Sequence, residues 1–348
     1  MSNLSPLEAQ LLNQLQGDFP LVDRPYDVLA QRLNLNDFSG EDEAFDMVQK
    51  LKEEKIIRRL GAVFDANHLG YSSALCALAV ENEADIDKVA EVINAYPYVT
   101  HNYERPNRYN IWFTLTTPDQ LTVHMVLEEI KEKTGYSDLL YLPAVKLFKI
   151  QTNFDVNNER DSRQNAPRYV EPGKIVVEPL SELDKELVRQ LQGDLVKYKR
   201  PFKQVAQEVS AKLAASLGYE ISETIVLQRV KNWKFNKTMR RFGALLRHQK
   251  VGFTHNAMVV WDVPEKFALS VGEIMASQKE VSHCYERKTA PTWPYNFYSM
   301  IHGHSAEECE AVASRIVQEA QAKGIALKPE MFLYSTREFK KVSMKYFV

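Results

Sequence analysis

The chain has little cysteine. Three residues, Cys76, Cys284 and Cys309, are scattered over 348 positions without a Cys-x-x-Cys pair. That excludes a disulfide scaffold and fits a reducing compartment. Long apolar runs are also missing. The longest, Ala74–Val80 and Ala257–Trp261, fall far short of the roughly 20 residues that cross a bilayer, so no membrane partner is expected. The first residues, Met1–Glu8, lack a basic segment followed by an apolar one. A secretory signal is therefore not expected, and a cytoplasmic location is. Familiar catalytic signatures are absent too: there is no Walker loop, GxGxxG, HExxH, Gly-x-Ser-x-Gly or zinc quartet. This disfavours nucleotide-, zinc- and serine-dependent chemistry and leaves room for an enzyme without an added cofactor. What remains, 45% hydrophobic and 26% charged residues, is an ordinary globular balance. The length suggests two or three domains.

Net charge is also small, at −2, but it hides an asymmetry. Residues 1–170 hold 17 Lys+Arg against 26 Asp+Glu, and residues 171–348 hold 27 against 20. A balance of −9 therefore faces one of +7. Such a split suggests either a nucleic-acid arm or two halves that attract each other.

The chain is an internal repeat. Gln14-Leu-Gln-Gly-Asp18 recurs as Gln190-Leu-Gln-Gly-Asp194, and Arg24-Pro25 as Arg200-Pro201, at an offset of 176. Arg58-Arg-Leu-Gly-Ala62 recurs as Arg240-Arg-Phe-Gly-Ala244, and His101-Asn-Tyr-Glu-Arg105 as His283-Cys-Tyr-Glu-Arg287, at an offset of 182. Tyr109-Asn110 recurs as Tyr295-Asn296. Slowly growing offsets are what loop insertions produce. The joint, Asn153–Pro179, is polar and Pro-containing and reads as a linker.

Within each half the pattern changes once. Leu4, Leu7, Leu11 and Leu15 have helical spacing, matched by Leu180, Leu183, Leu187 and Leu191. Ser5 and Ser181 occupy N-cap positions, and Pro25 and Pro201 suit a first helical turn. A third helix is expected over about Glu41–Glu54 and Ser222–Trp233, each followed by an extended piece, Ile56–Phe64 and Met239–Leu246. Three short helices and a β wing make a winged helix-turn-helix. The remainder of each half reads βαββαβ, the ferredoxin-like unit. In half one it covers Ser73–Val80, Ala84–Ala95, Val99–Tyr103, Tyr109–Thr116, Asp119–Lys133 and Leu139–Leu142. In half two it covers Thr254–Trp261, Glu265–Ser277, Val281–Tyr285, Asn296–His302, Ala306–Lys323 and Met331–Ser335. The expected fold is thus α+β, a tandem repeat. Its units are a winged helix-turn-helix (1–64), a ferredoxin-like domain (65–155), a linker (156–179), a second winged helix-turn-helix (180–247) and a second ferredoxin-like domain (248–348). That order resembles the Lrp/AsnC regulators, which implies DNA binding and ligand sensing.

Charge speaks against the DNA reading. The first recognition-helix candidate carries Glu41, Asp42, Glu43, Asp46, Glu53 and Glu54 against Lys50 and Lys52, and would repel phosphates. The second, with Arg229, Lys231, Lys234 and Lys237, is basic. Two such unlike helices do not make a symmetric reader of a palindrome, so nucleic acid is not the expected partner.

Chemistry concentrates in the His-x-Tyr-x-Arg segments. On a strand, His101, Tyr103 and Arg105 share one face, as do His283, Tyr285 and Arg287. Arg grips carboxylates bidentately and His moves protons near neutral pH. A plainer reading makes each His a strand-end residue, and duplication alone explains the recurrence. Arg58, Arg59, Arg240 and Arg241 could likewise hold an acidic ligand or an interface carboxylate. His68 and His255 do not align and are expected to be local. His302 and His304 end a strand, with a surface role expected.

Several segments together are more specific. They are Arg58–Phe64, His101–Arg105 with Tyr109–Thr114, Met239–Ala244, and Val281–Arg287 followed by Trp293–Gly303. The combination resembles the siroheme decarboxylases, which occur as AhbA–AhbB or NirD–NirL type pairs, here with both members in one chain. The resemblance implies removal of CO2 from two acetate side chains of siroheme to give didecarboxysiroheme, in haem or haem d1 biosynthesis. It implies His101 and His283 as proton donors or orienting groups. Tyr103, Arg105, Arg240, Arg241, Tyr285, Arg287, Tyr295, Arg58 and Arg59 would bind carboxylates. A histidine could instead be an axial ligand to the substrate iron. No cofactor is expected beyond the iron tetrapyrrole itself, although a regulatory haem is conceivable. The two halves are expected to act as an internal pseudo-dimer, with a further homodimer of chains open.

Overall fold

In a computed structural model, the structure describes residues 4–17, 19–35, 39–150, 179–246 and 255–348. The expected linker, 156–179, lies outside the described residues except for Pro179. Half one opens with α1 (Pro6–Gly17), α2 (Pro25–Arg32), α3 (Gly40–Glu53) and strand β1 (Ile57–Phe64). It continues with β2 (Ser72–Leu78), α4 (Ile86–Asn94), β3 (Val99–Glu104), β4 (Ile111–Thr117), α5 (Gln120–Thr134) and β5 (Leu139–Ile150). Half two repeats the order with α6 (Glu182–Leu191), α7 (Pro201–Leu217), α8 (Glu223–Phe235) and β6 (Met239–Leu246). There follow β7 (His255–Trp261), α9 (Ala268–Ser277), β8 (Val281–Arg287), β9 (Phe297–Gly303), α10 (Ala306–Ala322), β10 (Met331–Tyr334) and β11 (Arg337–Lys341).

Local chemistry explains the helix starts. Ser5 and Glu8 exchange side-chain-to-backbone hydrogen bonds at 3.2 and 2.8 Å. Ser181 and Asp184 form the equivalent capping box. Pro25 and Pro201 each stand at the first helical position. The offset grows from 176 to 182 across the second helix, which has eight residues as α2 and 17 as α7. Gly218, at φ +78, closes α7 in the left-handed conformation that glycine tolerates best.

The wing strands find their partners across the halves. β1 pairs antiparallel with β6, and Gly61 stands opposite Gly243. The helices of both halves then close on one apolar core that includes Leu11, Leu15, Leu187, Leu191, Phe202 and Phe242. The repeated segments of the sequence meet here. Arg59 donates to Gln192 O at 2.5 Å and Gly193 O at 3.2 Å, at the end of α6. Arg241 donates to Gln16 O at 2.5 Å, at the end of α1. These carbonyls lack an intrahelical donor, so a guanidinium there completes the helix end. A Cβ on Gly61 would lie 2.4 Å from Gly193 O, and one on Gly243 2.3 Å from Leu15 O. Both positions admit only hydrogen because the helix end of the other half lies against the strand.

The ferredoxin-like units share a nine-stranded sheet in the order β10-β7-β9-β8-β5-β2-β4-β3-β11. β5 is longer than its expected Leu139–Leu142. Its first part pairs with β2 and its second part with β8 of the other half. β10 and β11 divide the same work, the former on β7 and the latter on β3. No local pattern marks β11, because its partner lies more than 230 residues away. Each unit packs its helices on one face of its strands, and a core of both halves, including Trp112, Leu142, Trp293, Tyr298 and Leu333, fills the other side.

Charge follows the same seam. Lys199 pairs with Asp42 and Arg240 with Asp65, the latter at 2.8 Å. Arg337 pairs with Asp87 at 2.7 Å and with Glu104. Each joins a base of half two to an acid of half one.

Candidate active site

The strands β3 and β8 turn Asn102 and Cys284 toward their own helices. Asn102 donates to Asn94 Oδ1, and the Cys284 sulfur lies against Gly272 and Met275 of α9. By the two-residue period, the alternate side chains face the other half. They form two ladders. The rings of His101 and Tyr103 stack at 6.3 Å and 25°, with the Arg105 guanidinium 5.4 Å from the Tyr103 centroid. The rings of His283 and Tyr285 stack at 6.4 Å and 15°, with Arg287 4.4 Å from the Tyr285 centroid. Such cation–π contact favours Arg over Lys.

Both ladder arginines reach into the opposite half. Arg105 donates to Leu333 O of β10, and Arg287 donates to Leu142 O of β5 at 3.0 Å. Burial holds Arg105 below the usual guanidinium range, at about 10, and lowers Arg287 as well. The Nε of each is buried without a hydrogen-bond partner. A cation desolvated without a carboxylate is costly, so both sites favour a nearby anion.

The histidine ends lie near each other, since His101 is among the groups that act on His283. Burial, then His302, His101, Arg240 and Arg287, push His283 down to about 3. Burial, then Lys341 and Arg58, push His101 down to about 4. Both imidazoles are therefore neutral at pH 7. Each Nδ1 is bonded to the hydroxyl of the preceding residue, Thr100 at 2.9 Å and Ser282 at 2.8 Å. Burial likewise raises the phenols Tyr103 and Tyr285. Arg58 donates to Lys341 O at 3.3 Å. Arg240 clasps Asp65 Oδ2 through Nε at 3.0 Å and Nη2 at 2.8 Å. Burial pushes the Asp65 carboxyl up, but the Arg240 charge and the Arg240 and His68 hydrogen bonds outweigh it, leaving it below its usual range.

The expected residues thus divide. His101, Tyr103, Arg105, His283, Tyr285 and Arg287 form the ladders, and Arg58 and Arg240 stand at their histidine ends. Arg59 and Arg241 lie elsewhere, spent on helix termini. Tyr295 is also apart. His283 stands opposite Met300, whereas Tyr295 lies beyond the far end of β9, edge-on to Trp293 at 4.9 Å. His302 is not the surface residue expected from its place at a strand end. It is partly buried and bonded to Ser282 at 2.6 Å and to Asn256, because β9 lies between β7 and β8. Asp65, Lys341 and Ser282 carry no sequence signal that marks them as site residues, although a hydroxyl residue precedes the histidine in both repeats. A groove of about 430 Å³ beside Phe19, Arg32 and Phe235 and a depression of about 510 Å³ on α10 touch neither ladder. Among the described residues, no group of three or more His, Cys, Asp or Glu side chains could hold a metal ion, and no helix is long and apolar enough to cross a membrane.

Comparison with known proteins decides the family. Residues 8–58 match the siroheme decarboxylase NirDL-like HTH domain, and residues 68–149 and 250–340 match the AsnC-like ligand binding domain. The siroheme decarboxylase of Hydrogenobacter thermophilus is 35% identical over 339 residues, covering 97% of this chain and 94% of its own. The chain belongs to the siroheme decarboxylase family. A crystal structure of the siroheme decarboxylase NirDL in complex with an iron-uroporphyrin III analogue superposes on this family member with a TM-score of 0.72, at 32% identity. It covers 98% of this chain and 95% of its own. The siroheme decarboxylase alpha subunit of Desulfovibrio desulfuricans is 46% identical over 159 residues, 46% of this chain and 88% of its own.

Proposed function

We propose that this chain is a siroheme decarboxylase in which each half contributes one His-x-Tyr-x-Arg ladder to a shared space for the tetrapyrrole. The carrying observation is the pair of ladders facing the opposite half, with Arg58, Arg240 and Lys341 beside their histidine ends. Siroheme carries eight carboxylates, and guanidinium groups hold carboxylates through two parallel hydrogen bonds. The free Nε of Arg105 and of Arg287, and the cations at the histidine ends, supply that charge.

In the reaction, the bond between the acetate methylene and its carboxylate breaks and CO2 leaves. The electron pair passes to the methylene carbon, beside a macrocycle that delocalises it. One proton then fills that position and leaves a methyl group. In this reading His283 or His101 gives the proton through Nε2, because each Nδ1 is held by a hydroxyl. A positioned acid contributes roughly 10²–10⁴-fold. These bonds balance with a proton alone. The two halves together do what separate subunits do in the alpha-subunit relatives, and the buried free thiols of Cys76, Cys284 and Cys309 suit a reducing cytoplasm.

The test is anaerobic incubation with siroheme and mass analysis of the pigment. Loss of two CO2 units is expected. Unchanged siroheme in a tight complex would make the chain a carrier instead. The regulator reading has less support. The acids of α3 are paired at the surface, Glu41 with Arg24 at 2.5 Å and Asp42 with Lys199, and six acids against two lysines over Glu41–Glu54 give that helix no basic face for phosphates.

A further inference from the structure

Behind His283 the second half carries a chain of hydrogen bonds that the first half replaces. Ser282 Oγ lies 2.8 Å from His283 Nδ1 and 2.6 Å from His302 Nε2. His302 Nδ1 is in turn bonded to Asn256 Oδ1. Asn256 and His302 stand opposite each other on β7 and β9. The corresponding pair on β2 and β4 is Ser73 and Thr116, joined at 3.1 Å. A Ser–Thr pair therefore satisfies this place in the fold, and packing does not require a histidine there. His302 and Asn256 are partly exposed, whereas Ser282 is buried.

We propose that Ser282 and His302 form a proton relay that keeps His283 neutral as it gives its Nε2 proton, which makes the second half the proton-delivering half. The inference rests on the reading of His283 as donor to the substrate carbon. His283, neutral with its proton on Nε2, gives that proton to the methylene carbon that CO2 has left. Its Nδ1 takes the Ser282 hydroxyl proton, and Ser282 Oγ takes the proton of His302 Nε2. His302 regains a proton from solvent at Nδ1, facing the Asn256 amide. The amide can present either oxygen or nitrogen, so it accommodates both tautomers. The transfer leaves His283 with its proton on Nδ1, so before the next turn its Nε2 takes a proton from water while the chain runs back and His302 Nδ1 returns one to solvent. The net is one solvent proton consumed for each CO2 released, and neither imidazole becomes a cation or an anion. That suits two rings whose basicity burial depresses, His302 to about 4 with Lys341 adding to the effect. Ser282 and His302 are positioning residues, acting through His283.

The decisive variant is the double substitution Asn256→Ser with His302→Thr in the full chain. It installs the pair that half one already folds around. Turnover of siroheme, KM, pigment binding by absorbance titration and the solvent deuterium isotope effect are measured against the parent. We expect kcat to fall by at least about tenfold, with KM and pigment binding unchanged and a larger isotope effect. His302→Gln alone is expected to behave alike. An unchanged kcat and isotope effect overturns the relay. A loss confined to KM or pigment binding overturns it too, because it marks a role in binding. Should the parent itself leave the mass of siroheme unchanged, the decarboxylase reading falls and takes the relay with it, an outcome visible in the control.

Discussion

Along β3, His101 rests on Thr100. Along β8, His283 rests on Ser282 and through it on His302 and Asn256. Everything in front of the two histidines is matched: the stacked tyrosine, the arginine over it, and the carbonyl of the crossing strand that the arginine grips. What lies behind them is not. The Arg58 and Arg240 ends differ as well, since Arg240 is held by Asp65 whereas Arg58 reaches the Lys341 carbonyl. Duplication preserved the ladders and the interlock, and the two halves diverged in the hydrogen bonds behind each histidine ring. A symmetric frame can therefore hold an asymmetric site.

The largest expected effect probes the symmetric part. Leu15→Ala and Leu191→Ala each empty a fully buried place in the common helix core, at a cost of roughly 2–5 kcal/mol. Denaturant unfolding should show similar losses and one transition for both. Two separate transitions would mean that the halves fold apart, and the comparison would have to be redrawn. Next comes the asymmetric part. His283→Ala should lower kcat on siroheme by about 100-fold or more, and His101→Ala by clearly less. Equal rates of loss would place the proton step in both halves.

Smaller effects sharpen the frame. Gly61→Ala and Gly243→Ala push a methyl into a helix-end carbonyl of the other half, with an expected cost of about 1–3 kcal/mol each, read as a fall in denaturation midpoint. A large cost at one position only would show that the interlock is lopsided. The smallest effect is a pH slope. His101, His283 and His302 have folded-state values near 4, 3 and 4, below the ordinary 6.5. The unfolded chain then binds more protons between about pH 4 and 6.5, so stability falls as pH drops through that window. Replacing His302 should flatten the slope.

Much of the fold is legible in the amino-acid sequence. Leucines at helical spacing, serine caps and N1 prolines locate α1, α2, α6 and α7, because each signal acts within one or two turns. The two-residue period puts His, Tyr and Arg on one face of β3 and β8, because alternation is a property of the strand itself. The residues behind His283 are hidden for the opposite reason. Ser282, Asn256 and His302 come from three strands, and only their order in the sheet makes them neighbours. Arg59 and Arg241 mislead because an arginine pair suits an anion as well as a helix terminus, and only the crossing of the halves brings those carbonyls within 2.5 Å.

By itself, the sequence determined that the chain is two copies of one α+β unit, acidic in the first and basic in the second, with a His-x-Tyr-x-Arg strand in each. Local propensity, periodicity and recurrence carry that information along the chain. Tertiary structure decided that the strands β1 and β6 pair with each other, that β5 and β11 complete the other half's sheet, and that one histidine has a second histidine behind it. Those facts depend on segments tens to hundreds of residues apart, where burial and hydrogen-bond satisfaction choose the partner and no local pattern does.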